Sequence, residues 1–338
     1  PYTFPTFKKL KGKSYPALFS GLLLYIFDTN ENEYRPKALQ CLYQVCSVFS
    51  KLEGPYSATV LEAGINKFIS GDQRLGNICW ASTPAPPILD GNSYRDVMDD
   101  ARQFIAELFK DFDVREVYLP QPGSGSTNTP TKIQDRFRPS VLYEQVNDVL
   151  GYDWTYNTVY QYIFGQESIT EGLPVVEYPT SRYKQIPKKF GKPRGICLEE
   201  SEVQFAQQGL RRPIYVYIET SNSEVRGRIN FTDQTINQLL ALSSSITRVY
   251  ATLDMRRASD NVGRENVLTM FRDSPLFEVL DCLSTRFITM PDYSPVKTHL
   301  SNVFAPMGSG ICFPIMSIYH YALMRAILRH SRVPSDRD

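Results

Sequence analysis

The chain has 338 residues, 42% hydrophobic and 22% charged, with 37 Lys and Arg against 36 Asp and Glu for a formal net charge of +1. This composition excludes a disordered or fibrous chain and leaves room for two or three subdomains around a sizeable core. Near-zero net charge also excludes a globally basic nucleic-acid binder, so a polyanion site has to show as local clustering.

The sequence opens on Pro1 rather than methionine, which reads as processing or as a fragment. Its most apolar run, "ALFSGLLLYIF" at 17–27, is too short to span a bilayer and has no signal-peptide cleavage pattern, so it predicts a buried core helix. Apolar residues at three- and four-residue spacing predict amphipathic helices over 35–70 and 93–113, separated by the proline-rich "STPAPPILDGNS". The segment "LPQPGSGSTNTPT" at 119–131 reads, taken alone, as a flexible surface loop rather than a phosphate-contacting one. Tyrosines then accumulate at 143, 152, 156, 160, 162 and 178, a set that favours core or interface packing over base stacking.

Six cysteines (41, 46, 79, 197, 282, 312) form no CxxC pair, and three histidines (299, 320, 330) are scattered. No zinc site of ordinary spacing and no disulfide scaffold follows, and the pattern fits a reducing compartment. Metal chemistry in this chain would run on carboxylates.

In "RYKQIPKKFGKPR", residues 182–194, Arg182, Lys184, Lys188, Lys189, Lys192 and Arg194 are basic and nothing is acidic. Pro187, Gly191 and Pro193 keep the segment out of a helix, so the cations project from an extended ribbon suited to phosphates; a solvated basic loop is the alternative. Strands are predicted at 212–219, within "RRPIYVYIE", and at 248–253, "RVYATL". In the second, Val249, Ala251 and Leu253 would face the core, leaving Asp254 at the strand's C-terminal end, where a carboxylate can hold a hard cation such as Mg²⁺. Asp260 follows a turn and reads alone as the N-cap of a helix over 261–271. "FAPMGSGICFPIMS" at 304–317 places Gly308, Ser309 and Gly310 in a flexible loop whose backbone amides could approach a nucleic-acid backbone. It leads into a helix over 313–329, with Pro314 in the first turn. Strands separated by helices give an α+β fold.

The order of basic ribbon, Asp254 with Asp260, then glycine loop and helix resembles the fingers-and-palm core of viral RNA-directed RNA polymerases. The likeness is greatest to the replicase subunit of levivirus-type (Qβ-like) RNA bacteriophages, with the narnavirus polymerases nearby. It is carried by "PKKFGKPRGICLE" (187–199), "FAQQG" (205–209), "DQTINQ" (233–238), "ATLDMRRASD" (251–260), "LFEVLDCL" (276–283) and "MGSGICF" (307–313), and it is strong from about 186 to 329. "PGSGST" (122–127) resembles a glycine-rich segment found before the fingertip.

The resemblance implies a right-hand polymerase with an antiparallel palm sheet: 1–180 as N-terminal extension and fingers, 181–230 as basic fingertip segment, and 231–338 as palm with inserted fingers elements. It implies template-directed, two-metal nucleotidyl transfer from NTPs with Mg²⁺ or Mn²⁺. Asp254 would ligate metal, and Asp260 would read the ribose 2′-hydroxyl. Lys188, Arg194 and Lys192 would bind the triphosphate, while the Gly308–Ser309–Gly310 loop would support template and nucleotide. Implied partners are single-stranded RNA template, nascent RNA, NTPs and host translation proteins as replicase subunits, in the cytoplasm of a bacterial host and without a membrane.

Cys312 and Met316 stand where the family usually has threonine and, in many polymerases, asparagine, so Asp260 would lean on Ser309 or on backbone instead. The Gly-Asp-Asp of the third palm motif occurs nowhere, and "RVPSDRD" ends the chain where its strand is expected. The other paired carboxylates, Asp99 and Asp100, read as a solvated helix face. The chain taken alone is therefore expected not to polymerise. The alternative is a non-catalytic RNA-binding protein derived from a polymerase's fingers and palm; reading the nucleotide sequence past codon 338 would separate the two.

Overall fold

A computed structural model describes residues 11–12, 19–27, 35–51, 55–78, 89, 91–117, 120–129, 132–151, 170–189 and 192–331. Tyr152, Tyr156, Tyr160, Tyr162, Cys79, the side chain of Lys192 and the tail from 332 lie outside the described residues. The chain divides into two compact units, residues 1–65 with 185–195, and residues 66–184 with 196–338.

The first unit holds α1 (Ser20–Phe27), α2 (Pro36–Lys51) and the start of α3 (Ala58–Gly76). The single helix expected over 35–70 is thus two, because Pro55 disfavours helical geometry in the residue before it. The run at 17–27 does form a helix, but not a buried one: α1 packs on α2 and buries Leu23, leaving Leu24, Tyr25 and Phe27 exposed. A helix apolar all round needs cover on every side to be core, and α2 covers one side.

The second unit is built around α4 (Tyr94–Leu108). Ser93 caps it: its hydroxyl accepts from the Asp96 amide at 3.3 Å while Asp96 accepts from the Ser93 amide at 2.6 Å, the reciprocal box that satisfies two orphan donors. Val97, Ala101, Ile105 and Leu108 make its buried stripe. The short helices α5 (Val114–Val117) and α6 (Glu144–Leu150) follow. The core continues through α7 (Ser201–Thr220), past α8 (Thr235–Thr247), and into α9 (Arg264–Phe271), α10 (Phe277–Leu283) and α11 (Cys312–Arg329). Helix α4 packs on α9 and α11. Asp100, expected on a solvated face, is instead half-buried and paired with Arg325 at 3.6 Å and Arg329 at 3.1 Å of α11.

The strand expected at 212–219 is the second half of α7. Val203, Ala206, Leu210, Ile214 and Ile218 recur every three or four residues and are all buried, so helical burial overrides the local alternation of β-formers. Pro213 sits inside this helix, where it withdraws the bond to the Gly209 carbonyl.

Strands β1 (Leu142–Tyr143) and β2 (Val175–Val176) pair in parallel. A four-stranded sheet runs β4–β3–β5–β6, from β3 (Thr180–Lys189), β4 (Lys192–Leu198), β5 (Phe287–Thr289) and β6 (Thr298–Leu300). β5 and β6 are antiparallel, with Ile288 opposite His299, but β3 and β5 are parallel, with Thr180 opposite Phe287. The sheet is therefore mixed rather than antiparallel, as the long crossover from β3 to β5 permits. Asp72 of α3 ties into this region: it accepts from His299 Nε2 at 2.9 Å, Ser301 Oγ at 2.9 Å, and the amides of Asn302 and Val303 at 2.7 and 2.9 Å. No helix among the described residues is long and apolar enough to cross a membrane.

Candidate functional site

Helix α8 ends at Arg248, which takes the left-handed conformation at φ 60°. Residues 249–255 then run irregularly, with no strand pairing to them among the described residues. The strand expected at 248–253 is thus not formed, and Val249 and Leu253 are exposed (88% for Leu253) instead of facing a core. Single-strand propensity does not hold a strand without a neighbouring ladder. Asp254 is exposed on this segment.

The chain next turns through Arg257, at φ 55°. The Asn261 amide closes the turn by donating to the Arg256 carbonyl at 3.2 Å and the Arg257 carbonyl at 3.0 Å, and Arg74 of α3 donates to Asn261 Oδ1 at 3.0 Å. Such closure stabilises a conformation that non-glycine residues adopt at a cost of about 1–2 kcal/mol. Asp260 lies in a one-turn 3₁₀ segment, Ser259–Asn261. It is not a helix cap: α9 starts at Arg264 and its N-cap is Gly263. Burial pushes the Asp260 carboxyl up, with Arg257 and the Ser259 hydroxyl opposing. Its charge reaches two thiols: Cys312 at the start of α11 is pushed up to about 12 by burial and by Asp260, and Cys197 of β4 is raised by burial, Glu199 and Asp260. The 3₁₀ segment that carries Asp260 packs on α11.

The glycine loop is held by contacts with β4 and α7. Gly308 has φ 126°, and a side chain there would run into the Cys197 carbonyl. The Cys197 amide donates to the Met307 carbonyl at 2.8 Å. Gly310 presses on α7, where a Cβ would come within 2.9 Å of the Gln208 amide nitrogen. Its own amide donates to Gln207 Oε1 at 2.8 Å, and Gln207 Nε2 donates onward to the Leu283 carbonyl at 2.9 Å. The Ser309 amide donates to the Pro306 carbonyl at 3.1 Å. The amides of Ser309 and Gly310 are thus taken up within the protein. Ser309 Oγ is buried without a partner among the described residues, so the expected Asp260–Ser309 bond is not made; the hydroxyl beside Asp260 is that of Ser259, at 3.5 Å.

Beside Gln207 stands Glu199, 1% exposed at the end of β4. Enclosure pushes its carboxyl up to about 7, against the Thr285 hydroxyl, which donates at 2.6 Å, and the nearby Gln207 amide. Its Oε1 has no hydrogen-bond partner among the described residues.

The basic segment forms the extended hairpin β3–β4, as its prolines and glycine imply. Arg182, Lys184 and Lys188 lie on its exposed face, while Ser181 and Tyr183 are buried. Arg194 is half-buried. Arg182 donates to the Asn128 carbonyl at 2.9 Å. The glycine-serine segment near 122–127 is anchored, not free: Arg136, itself buried, donates to the carbonyls of Gly123 and Gly125, and the Asn128 backbone amide donates to the Glu199 backbone carbonyl at 2.7 Å.

Among the described residues no three His, Cys, Asp or Glu side chains are grouped to hold a metal ion. Asp254 offers one exposed carboxylate, which suits a single Mg²⁺ ligand beside phosphate oxygens but not a complete protein cage. Sequence reasoning singled out Asp254, Asp260 and the glycines, and missed Gln207, Glu199, Asn261 and Asp72. Gln207 and Glu199 do fall within the segments "FAQQG" and "PKKFGKPRGICLE", which was the one signal available.

A family model described as RNA replicase, beta-chain, matches residues 95–336. The RNA-directed RNA polymerase beta chain of Enterobacteria phage fr is 29% identical over 147 residues, covering 44% of this chain and 25% of that protein. The corresponding chain of Escherichia phage MS2 is 27% identical over 145 residues, with 43% and 25% covered. The RNA-directed RNA polymerase subunit beta of Qbeta virus (strain MX1) is 29% identical over 149 residues, with 44% and 24% covered. The aligned part spans about a quarter of the length of these relatives.

Proposed function

From the premise that this chain belongs to the RNA replicase β-chain family, we propose that it is the nucleotide-selecting part of an RNA-directed RNA polymerase acting on single-stranded RNA in a bacterial host. The observation that carries this reading is the packing of the 3₁₀ segment that holds Asp260 on α11, behind a glycine loop whose Gly308 abuts the Cys197 backbone of β4.

In this reading residues 1–180 and the fingertip 181–230 form fingers, and 231–338 form the palm of a right-hand polymerase. Lys188, Lys192 and Arg194 neutralise the triphosphate as charge moves to the leaving pyrophosphate. Asp260 accepts a hydrogen bond from the ribose 2′-hydroxyl, which a deoxynucleotide cannot donate. With the Ser309 and Gly310 amides engaged internally, the Gly308–Gly310 loop supports template and nucleotide by its shape. Asp254 contributes one oxygen ligand to Mg²⁺ or Mn²⁺, and phosphate oxygens and groups beyond the described residues complete the shell. Such an ion, when bound, offsets phosphate charge and activates the attacking hydroxyl. Nascent RNA and host translation proteins as further subunits are the partners this reading adds.

The test is RNA-templated incorporation with Mg²⁺, by this chain and by the same chain extended along its reading frame. The reading expects incorporation by the extended chain only, abolished by Asp254→Asn with RNA affinity little changed. Full turnover by the 338-residue chain, or by the Asp254→Asn variant, would refute it.

A further inference from the structure

The two glycines of the 307–313 segment are braced from different sides. Gly308 abuts the backbone of Cys197, and Gly310 abuts α7, where it meets the side chains of Gln207 and Gln208. The bracing at Cys197 is backbone on backbone. At Gly310 one side chain does the fixing: Gln207 is fully buried, its oxygen takes the Gly310 amide and its nitrogen is spent on the Leu283 carbonyl. A primary amide has one acceptor and one donor end, and here both are committed, so its orientation is set by α10 before it reaches the loop. Glu199 lies on its other side, carrying the connection to β4 and to Thr285. Elements far apart in sequence, at 197–199, 207, 283–285 and 308–310, thus join in one buried polar network, where each bond is strengthened by exclusion of water.

We propose that Gln207 is the positioning residue of the glycine loop: it holds Gly310, and with it the start of α11 and Cys312, at a fixed distance from Asp260. Gln207 touches no substrate in this scheme. It acts through the loop, and the proposal's consequence for nucleotides rests on the polymerase reading above.

Amide hydrogen exchange of the 338-residue chain tests the positioning itself, and the affinity for Mg²⁺·GTP tests its consequence. Gln207→Met keeps the volume and removes both hydrogen bonds, whereas Gln207→Glu keeps an oxygen acceptor for the Gly310 amide. In Gln207→Met, exchange at 308–312 is expected to speed up about tenfold, the factor for one lost net hydrogen bond, with α4 and the rest of α11 unchanged. Mg²⁺·GTP affinity is expected to fall several-fold, and Gln207→Glu, which keeps the Gly310 bond but sets a carboxyl oxygen against the Leu283 carbonyl, should fall between wild type and Gln207→Met in both. If Gln207→Met does not fold, Gln207→Asn, which withdraws the amide by one methylene, reads the same exchange. Unchanged exchange at Gly310 in a folded variant, equal loosening of α4 and α11, or failure of both variants to fold would each overturn the proposal. If the wild-type chain binds no Mg²⁺·GTP, the polymerase reading fails, while the exchange result still decides whether Gln207 positions the loop.

Discussion

Glu199 carries the largest resolved carboxylate perturbation near the loop, and it makes a stability statement. Its folded-state value of about 7 lies above the ordinary 4.5, so the folded chain holds a proton that the unfolded chain has released between those values. The sign follows: the favourable contribution is full below about pH 4.5 and is lost as pH rises through about 7. Glu199→Gln mimics the protonated form. It is expected to flatten the decline of urea-unfolding stability across that window and, at pH 8, to be more stable than wild type by up to about 3 kcal/mol. An unchanged slope would show that Glu199 is not the group responsible. Asp72 has the opposite sign. Burial works against its ionisation, but the donors from His299, Ser301, Val303 and Asn302 prevail and hold its carboxyl below the ordinary range. Its contribution is present at neutral pH and is lost on acidification through that depressed value. Asp72→Ala, which strands these donors, is expected to destabilise by about 3 kcal/mol at pH 7 in the same urea measurement.

At the scale of elements, the glycine loop packs against β4 and α7 and leads into α11. Gly308→Ala combines a left-handed backbone with a clash against the Cys197 carbonyl, so it is expected to lower the melting temperature strongly, by the equivalent of about 3 kcal/mol or more. A melting temperature within a degree of wild type would contradict the packing described. The helices α4 and α11 were legible from sequence because their evidence is local: Val97, Ala101 and Ile105, or Ile315, Ile318 and Ala322, lie within a few turns. Residues 212–219 misled because a short alternating window outweighed a burial period visible only over all of α7. The strand at 248–253 misled because a strand needs a partner, and nothing in its own residues supplies one. The candidate site divides likewise: Asp254, Asp260, Gly308 and Gly310 were singled out by motif order, whereas Gln207, Glu199 and Asp72 owe their surroundings to residues 76 to 231 positions away.

Across the whole molecule, the buried core of the second unit contrasts with one apolar stretch that it leaves open. Leu239, Leu242 and Ile246 of α8 are exposed (78% for Ile246), followed directly by Val249, Tyr250 and Leu253. This stretch flanks Asp254, so the proposed metal ligand sits on an exposed segment, while Asp260 is partly buried. Under the proposed function, selection of the sugar would therefore belong to this chain more than assembly of a metal centre does. The most direct measurement is the affinity of the 338-residue chain for GTP against dGTP with Mg²⁺, for wild type and Asp260→Ala, from pH 8 down to pH 5. The account predicts that wild type prefers GTP by about tenfold, a typical margin for a hydrogen bond to a charged group. It predicts further that Asp260→Ala loses this preference, and that in wild type it fades on acidification above the ordinary carboxylate range, as the raised Asp260 carboxyl takes up a proton. A GTP preference that survives Asp260→Ala would contradict it.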